Sequence, residues 1–304
     1  MPELPEVETI RKGLAKTIVG KRIVAVSVRL PKIVALGPAT VSNKRSNGRA
    51  KAAKFAALIT GHRIVSVKRR AKMLILDLSG PYTLFVHLKM TGQLIYAKKN
   101  EQKLMKIFNA ASSRRLLLPH EYTHVIFRFT DGSRLYYNDL RQFGYLRLVP
   151  DSEIGNVREL ALYGPEPLSR DFTLAYLKAK ARSRPRAAVK LFLMDPAVVA
   201  GIGNIYSDEI LYRAGIRPER PARDLAGAKW KKLFAAIAKV LKEGLVHHGS
   251  SVGDYFRVDG SEGTYGRVHR VYGRGGERCR RCQSVIKTVK LGGRTGSYCP
   301  KCQK

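Results

Sequence analysis

Four cysteines crowded into the last 26 residues constrain this 304-residue chain more than any other feature. They read Cys279-x2-Cys282-x16-Cys299-x2-Cys302. Two CxxC knuckles at that separation match a tetrahedral four-thiolate zinc site. Arg280, Arg281, Pro300 and Lys301 fill the knuckles and suit tight turns on a basic surface. Four thiolates close the coordination sphere and leave no position for a reactive water, so the expected cofactor is one structural Zn2+. Two disulfides are the competing reading, but nothing in the sequence points to an oxidising compartment. The chain is expected to end in a small ribbon folded around a metal, with the preceding residues building cores of their own.

The charge balance narrows the partner. Lys and Arg total 57 against 23 Asp and Glu, a formal net charge of +34. A field of that size steers polyanions toward the protein. The basic residues are spread along the whole chain rather than gathered in the amphipathic helix or polybasic tail of a membrane-surface protein, so nucleic acid is the leading partner. Hydrophobic residues make up 44% of the chain, enough for globular cores. The length fits about two domains. No apolar run of about 18 residues occurs, which excludes a membrane-spanning helix. The opening residues MPELPEVETI lack the basic and apolar stretches of a signal peptide, so a cytoplasmic location is expected.

Leu4, Val7, Leu14 and Ile18 fall on one face of a helix over 4–18. Strand patterns follow at Ile23–Leu30, Ile64–Val67, Leu74–Leu78, Thr83–Leu88 and Val125–Phe129, and Asp131-Gly132 turns a hairpin into Arg134–Tyr137. One helix and many short strands predict a β-sandwich. Residues 37–54 hold five basic and no acidic residues, and residues 98–119 hold six basic and one acidic residue; both read as surface loops or short helices. Pro150-Asp151 and Gly164-Pro165-Glu166-Pro167 bracket a transition, after which the pattern is helical to Val246. Residues 249–266 read as a mobile loop. The expected class is α+β and multidomain: a β-sandwich over 1–150, a helical domain with that loop over 151–268, and the zinc ribbon over 269–304.

Four separated motifs carry chemistry. In Met1-Pro2-Glu3-Leu4-Pro5-Glu6, removal of the initiator methionine leaves Pro2 as a secondary amine. An α-amino group is far less basic than a lysine, so a sizeable fraction is neutral near pH ~7 and can attack a sugar C1′. Glu3 stands beside it as a proton shuttle. The same residues also read as a helix start with acids in its first turn. Arg69-Arg70-Ala71-Lys72 leads a lysine into an apolar strand, where its stem packs and its amine reaches solvent or a phosphate. His87-Leu88-Lys89-Met90-Thr91-Gly92 and Asn138-Asp139-Leu140-Arg141-Gln142-Phe143-Gly144 combine apolar wedges with a guanidinium. Such residues fill the hole left by an extruded base, or they are ordinary core. Finally, Lys190–Asp195 precedes Gly201-Ile202-Gly203-Asn204 at a helix start. That turn points N–H groups at a phosphate or closes a tight helix–helix corner. The dinucleotide-binding fingerprint does not fit, because its third glycine is missing.

Together these motifs and the cysteine ribbon resemble the bacterial formamidopyrimidine-DNA glycosylase family. The resemblance runs from Pro2 to Gln303, with gaps at the two basic stretches. It implies a bifunctional enzyme of base excision repair. Such an enzyme excises oxidised purines, 8-oxoguanine and formamidopyrimidines, and then nicks the abasic site by β,δ-elimination. It implies Pro2 as Schiff-base nucleophile, Glu3 as proton donor, Glu6 as a further active-site acid, Lys72 as a phosphate contact aiding β-elimination, and Arg294 as the hairpin arginine aiding δ-elimination. Met90, Arg141 and Phe143 would fill the void. His87, Arg184, Arg186, Lys190 and Asn204 would contact the DNA near the lesion, and Ser250–Tyr265 would close over the base. Two departures stand out. The family usually reads D-P-R-R-F-G where this chain has Leu140 and Gln142, which predicts a looser loop with one basic contact fewer. The family often has His-x-His where this chain has Tyr122-Thr123-His124, which puts Tyr122 at a DNA-contact position. The implied partner is double-stranded DNA carrying oxidised bases or abasic sites, bound by a monomer at the nucleoid. A non-catalytic zinc-ribbon protein that only binds nucleic acid, and an endonuclease VIII-like enzyme for oxidised pyrimidines, are the alternatives.

Overall fold

Helix α1 (Leu4–Thr17) forms where apolar spacing predicts it, and Val7, Ile10 and Leu14 on its inner face are fully buried. It stops at Thr17, whose hydroxyl donates back to the Gly13 carbonyl at 2.9 Å. The computed structural model describes residues 1–39, 48–108, 113–253 and 255–304. After α1 come β1 (Ile23–Val28), β2 (Val34–Leu36), α2 (Gly48–Ile59), β3 (Ile64–Arg70), β4 (Met73–Leu78), β5 (Tyr82–His87) and β6 (Gly92–Ala97). Then follow β7 (Leu104–Phe108), β8 (Ser113–Leu117), β9 (Thr123–Phe129), β10 (Arg134–Asp139), β11 (Tyr145–Pro150) and α3 (Arg158–Leu162). Two sheets result, one ordered β1-β9-β10-β6 and the other β2-β11-β5-β4-β3. Their facing residues share one apolar core, with Leu94, Phe127 and Leu135 from the first sheet and Leu76, Leu84 and Leu146 from the second. The ladders are antiparallel except for the β2–β11 pair. This is the expected sandwich with a leading helix.

The two basic stretches turn out differently from each other. Residues 40–47 and 109–112 lie outside the described residues. In the first stretch α2 forms, seated by Ala52, Phe55 and Ile59. In the second, β7 and β8 pair as a hairpin rather than a loop or short helix. Its strand pattern is hard to read because Leu104 and Leu117, which face each other, are 52% and 53% exposed while Met105 is buried. No polar-out alternation marks the run as a strand.

By contacts the chain divides into two compact units. The first comprises residues 1–2, 6–161 and 248–263, and the second residues 3–5, 162–247 and 264–304. The second unit is helical, with α4 (Leu174–Arg182), α5 (Val189–Met194), α6 (Asn204–Ala214) and α7 (Gly227–Val246), followed by the hairpin β12 (Lys287–Leu291) and β13 (Arg294–Tyr298). Gly215 ends α6 in the left-handed region at φ 69°, as a glycine allows. Phe192, Tyr206, Ile210, Leu233, Ile237 and Leu241 pack together as this unit's core.

Candidate active site and nucleic-acid interface

The glycines ahead of α6 explain how Glu3 is held. Gly201 adopts φ +90°, and its carbonyl accepts the Leu4 N–H at 3.0 Å. A Cβ on Gly203 would sit 2.5 Å from the Glu3 carboxyl carbon, so only glycine lets that side chain approach. The Glu3 carboxylate then accepts the N–H groups of Gly203 at 2.6 Å, Ile205 at 2.8 Å and Tyr206 at 3.4 Å. It caps the N-terminus of α6, where the unpaired amides and the macrodipole both favour an anion. The sequence offers a phosphate or a tight helix–helix corner for this turn; in the structure its amides bond Glu3. Pro2 is buried beside it in the chain. Glu6, also buried, accepts the Ser250 N–H at 2.8 Å, and Gly249 packs against its stem. Ser250 opens the segment read as a mobile loop, whose Tyr255, Phe256 and Val258 are buried; residue 254 lies outside the described residues.

In the first unit, Lys72 stands at the β3–β4 turn. Ala71 takes φ 53° there, and Arg69 Nη1 donates to the Ala71 carbonyl at 2.7 Å, clasping the turn. The other side of the Arg69 guanidinium reaches Glu8 on α1 at 3.1 Å. Burial pushes the Glu8 carboxyl up, but hydrogen bonds from Arg11 and Arg69 outweigh it and hold it below the usual range. His87 ends β5. Burial, followed by the charges of Lys89, Lys72 and Arg147, lowers its imidazole to about 3. Its Nδ1 accepts the Lys89 N–H at 3.0 Å, so the neutral ring carries its proton on Nε2. His87 is therefore built as an uncharged donor.

The loop after β10 is organised by Asp139. Its carboxylate accepts the Thr91 hydroxyl and the Gly144 N–H at 2.7 Å, and its carbonyl contacts His124 Nε2 at 2.8 Å. Thr91 in turn accepts the Arg141 N–H at 2.9 Å. These bonds tie down the loop at Asp139, Arg141 and Gly144, and Gln142 is held in the left-handed region at φ 57°. Phe143 is 54% exposed, and the Arg141 guanidinium lies over its ring at 4.9 Å. An exposed aromatic stacked with an arginine is not core. Met90 is half-buried. Tyr122 is half-buried against Ile95, Met105 and Phe256, which makes it more a packing residue than a surface contact.

The second unit encloses Lys190. That residue is fully buried, and its ammonium donates to Asp208 Oδ1 at 2.6 Å, Ser207 Oγ at 2.9 Å and the Asn204 carbonyl at 3.3 Å. All three N–H bonds are used, so the lysine braces α6. Sequence reasoning missed its partner. Asp208 is buried, which pushes its carboxyl up to about 6 against the pull of Lys190, and its other oxygen accepts the Ser297 N–H at 2.9 Å. The next residue, Glu209, accepts the N–H groups of Arg270, Val271 and Tyr272 at 2.9 to 3.0 Å. Adjacent acids in Ser-Asp-Glu on a helix that starts at Gly-x-Gly-Asn were the available signal. Ser297 lies on β13, whose first residue is the exposed Arg294, just past the Gly292-Gly293 turn. The helix that holds Glu3 thus also anchors the hairpin that carries Arg294. Arg186 is exposed, whereas Arg184 pairs with Asp195 at 2.9 Å. Asn204 is half-buried, and its side-chain oxygen is buried with no hydrogen-bond partner among the described residues.

The four cysteine sulfurs lie within 4.8 Å of one another. Cys282 and Cys299 are 3.4 Å apart and Cys279 and Cys302 4.0 Å, far too long for a disulfide. A zinc with bonds of about 2.3 Å needs sulfurs about 3.8 Å apart at tetrahedral corners, so the cage fits. Cys279 and Cys299 are buried with Val271 and Ile286.

Family models agree with this layout. One described as the formamidopyrimidine-DNA glycosylase N-terminal domain matches residues 1–146, one described as the H2TH domain of the same glycosylase matches 163–255, and one described as a zinc finger found in these enzymes and in IleRS matches 276–304. The formamidopyrimidine-DNA glycosylase of Carboxydothermus hydrogenoformans is 40% identical over 304 residues, with both chains fully covered. That of Pelotomaculum thermopropionicum is 39% identical over 304 residues, covering all of this chain and 99% of the relative. Among solved structures, a Lactococcus lactis complex with abasic-site DNA matches at TM-score 0.82 and 30% identity over 99% of each chain. A complex of the wild-type Lactococcus lactis protein with DNA containing an oxidised pyrimidine matches at TM-score 0.81 and 31% identity, with both chains fully covered.

Proposed function

The chain belongs to the formamidopyrimidine-DNA glycosylase family, and from that premise we propose that it is a bifunctional DNA glycosylase and abasic-site lyase of base excision repair, acting on oxidised purines in duplex DNA through Pro2. The lone pair of the Pro2 nitrogen attacks C1′ and the bond from C1′ to the base breaks. The base leaves with a proton, and the sugar ring opens to an iminium ion. Loss of the C2′ proton expels the 3′ phosphate, a second elimination expels the 5′ phosphate, and water frees the enzyme. Glu3 moves the proton at ring opening, Lys72 and Arg294 meet the departing phosphates, and His87 donates a neutral hydrogen bond to the backbone. Met90, Arg141 and Phe143 occupy the gap left by the extruded nucleotide. Asn204 and Arg186 contact the strand near the lesion, while Lys190 and Arg184 act through the residues they hold. Zinc, bound by Cys279, Cys282, Cys299 and Cys302, supplies folding energy to the ribbon and no chemistry. The functional division is a sandwich over 1–150, a helical part with the lesion loop over 151–268 and the zinc finger over 269–304.

The observation that carries this reading is the carboxylate of Glu3, the residue after Pro2 in the chain, fixed by three amides. The helix cap alone would serve a DNA-binding module equally well, so it is the acid's place one residue after the Pro2 amine that favours the catalytic reading. Oxidised pyrimidines are a second substrate class, supported by the oxidised-pyrimidine complex of the Lactococcus lactis protein. End-group analysis tests the proposal. An 8-oxoguanine:cytosine duplex should yield free base and a one-nucleotide gap flanked by phosphates. Strand binding with no base release would leave only the binding function.

A further inference from the structure

The second unit carries a cavity of about 550 Å3 at the C-terminal end of α6, lined by residues of α6, α7 and the ribbon. Because α6 spans 11 residues, about 15 Å of helix separates this cavity from the amides that hold Glu3. Six of its twelve lining residues are cationic and none is acidic. Lys229, Lys232 and Lys239 come from α7, Arg213 from α6, Arg281 from the first zinc knuckle, and the sixth is Lys304. The concavity follows from the sequence of α7. Ala235 and Ala236 lie three and four residues past Lys232, on the same stripe of the helix, and their small side chains leave a floor between the lysines.

These cations are poorly neutralised. Arg213 has Glu243 at 3.7 Å, and Lys229 donates to the main-chain oxygen of Lys304, the last residue of the sequence, at 2.9 Å. Among the described residues no ion pair involves Lys232, Lys239 or Arg281. Partial burial, then the charges of Arg220, Lys232 and Lys304, lower the Lys229 ammonium below the usual lysine value. A concave basic stripe without an acidic side chain is a receptor for phosphate oxygens. Its length selects a run of phosphates over a single one. Lys232 and Lys239 are two turns apart, about 10 Å along the helix. A DNA strand advances about 3.4 Å of axis per phosphate, so the stripe spans about three.

We propose that this groove is a second nucleic-acid site, binding the phosphodiester backbone of undamaged DNA apart from the residues that act on the lesion. It gives the enzyme a hold on DNA that is independent of base extrusion and of the chemistry at Pro2. The double variant Lys232→Gln/Lys239→Gln tests it, and Ala235→Glu, which puts a carboxylate on the exposed floor, is an independent second variant. Both sets lie on the solvent face of a helix and should leave zinc content and folding unchanged. Binding of a lesion-free 40-base-pair duplex is measured across a salt series. The double variant should lose up to about two units from the slope of log K against log salt, one for each phosphate contact removed. Borohydride trapping on a short lesion duplex should stay at the wild-type level. A second labelled duplex is then added to a preformed lesion complex. A ternary complex formed by wild type and lost in both variants assigns the groove to a separate DNA segment. A reduced slope without a ternary complex assigns it to flanking phosphates of the same duplex. An unchanged slope in both variants overturns the proposal and leaves the groove to an acidic protein surface.

Discussion

At Glu3 a glutamine would keep the shape and lose an acceptor. Both carboxylate oxygens receive amide N–H groups, and a glutamine NH2 would face one of those donors instead. Glu3→Gln should therefore abolish base excision and also lower stability by about 1–3 kcal/mol, read as a lower urea midpoint. A variant that lost activity at wild-type stability would mean the three amides do not hold the acid. His87 makes a prediction about charge. As a neutral donor it releases no counterion, so His87→Gln, which can both accept the Lys89 N–H and donate, should leave the salt slope of DNA binding unchanged. Lys72→Gln should reduce that slope by about 0.9. His87 also sets an acid limit. Its folded value of about 3 lies below the unfolded value of about 6.5. The unfolded chain thus takes the proton first, and stability present above pH ~6.5 is lost as pH falls toward the folded value. For His87 alone the loss is about 2 kcal/mol at pH ~5. His120, lowered to about 4 by burial first, adds to it in the same direction. Urea midpoints at pH 8, 6 and 5 check the trend, which His87→Gln should flatten.

At the scale of the element, the loop after β10 and helix α6 make separate claims. The Asp139 bonds hold the loop in shape, so Phe143→Ala should leave folding intact while impairing excision from a duplex by roughly tenfold or more. Nicking of a preformed abasic site, where no base has to leave the stack, should fall much less. Equal losses in the two assays would return Phe143 to an ordinary surface role. In α6, Asp208 ties Lys190 to the hairpin strand that begins at Arg294. Asp208→Ala strands a buried ammonium and should cost about 3–5 kcal/mol, seen as loss of the second unit's cooperative unfolding. Much of this was legible in the sequence where periodicity is strong: α1, β4, β5 and β9 follow their apolar spacing. β11 was not, because the fully buried Arg147, paired with Glu159 at 2.9 Å, interrupts its apolar run. The Glu3 cap was equally hidden, since residues 200 positions apart in sequence make it. Motif reading found Lys190 but not its partner, because burial against Asp208 cannot be seen from a lysine and a spacing.

At the scale of the whole molecule, each unit has its own apolar core, and the metal belongs to the second. Zinc chelation should therefore melt the ribbon and weaken DNA binding while the β-sandwich keeps its unfolding transition, which near-UV circular dichroism and zinc analysis on one sample would show. Loss of the sandwich transition on chelation would mean the sandwich does not stand on its own core. The central claim is that Pro2, freed by removal of Met1, is the nucleophile, and covalent trapping tests it most directly. Sodium borohydride added during turnover on an 8-oxoguanine:cytosine duplex should reduce the iminium to a stable cross-link, and peptide mapping should place the adduct on Pro2. Protein retaining Met1, and the Pro2→Gly variant, should give little or none. A full-yield cross-link on protein that still carries Met1, or an adduct mapped to a lysine such as Lys72, would contradict the account.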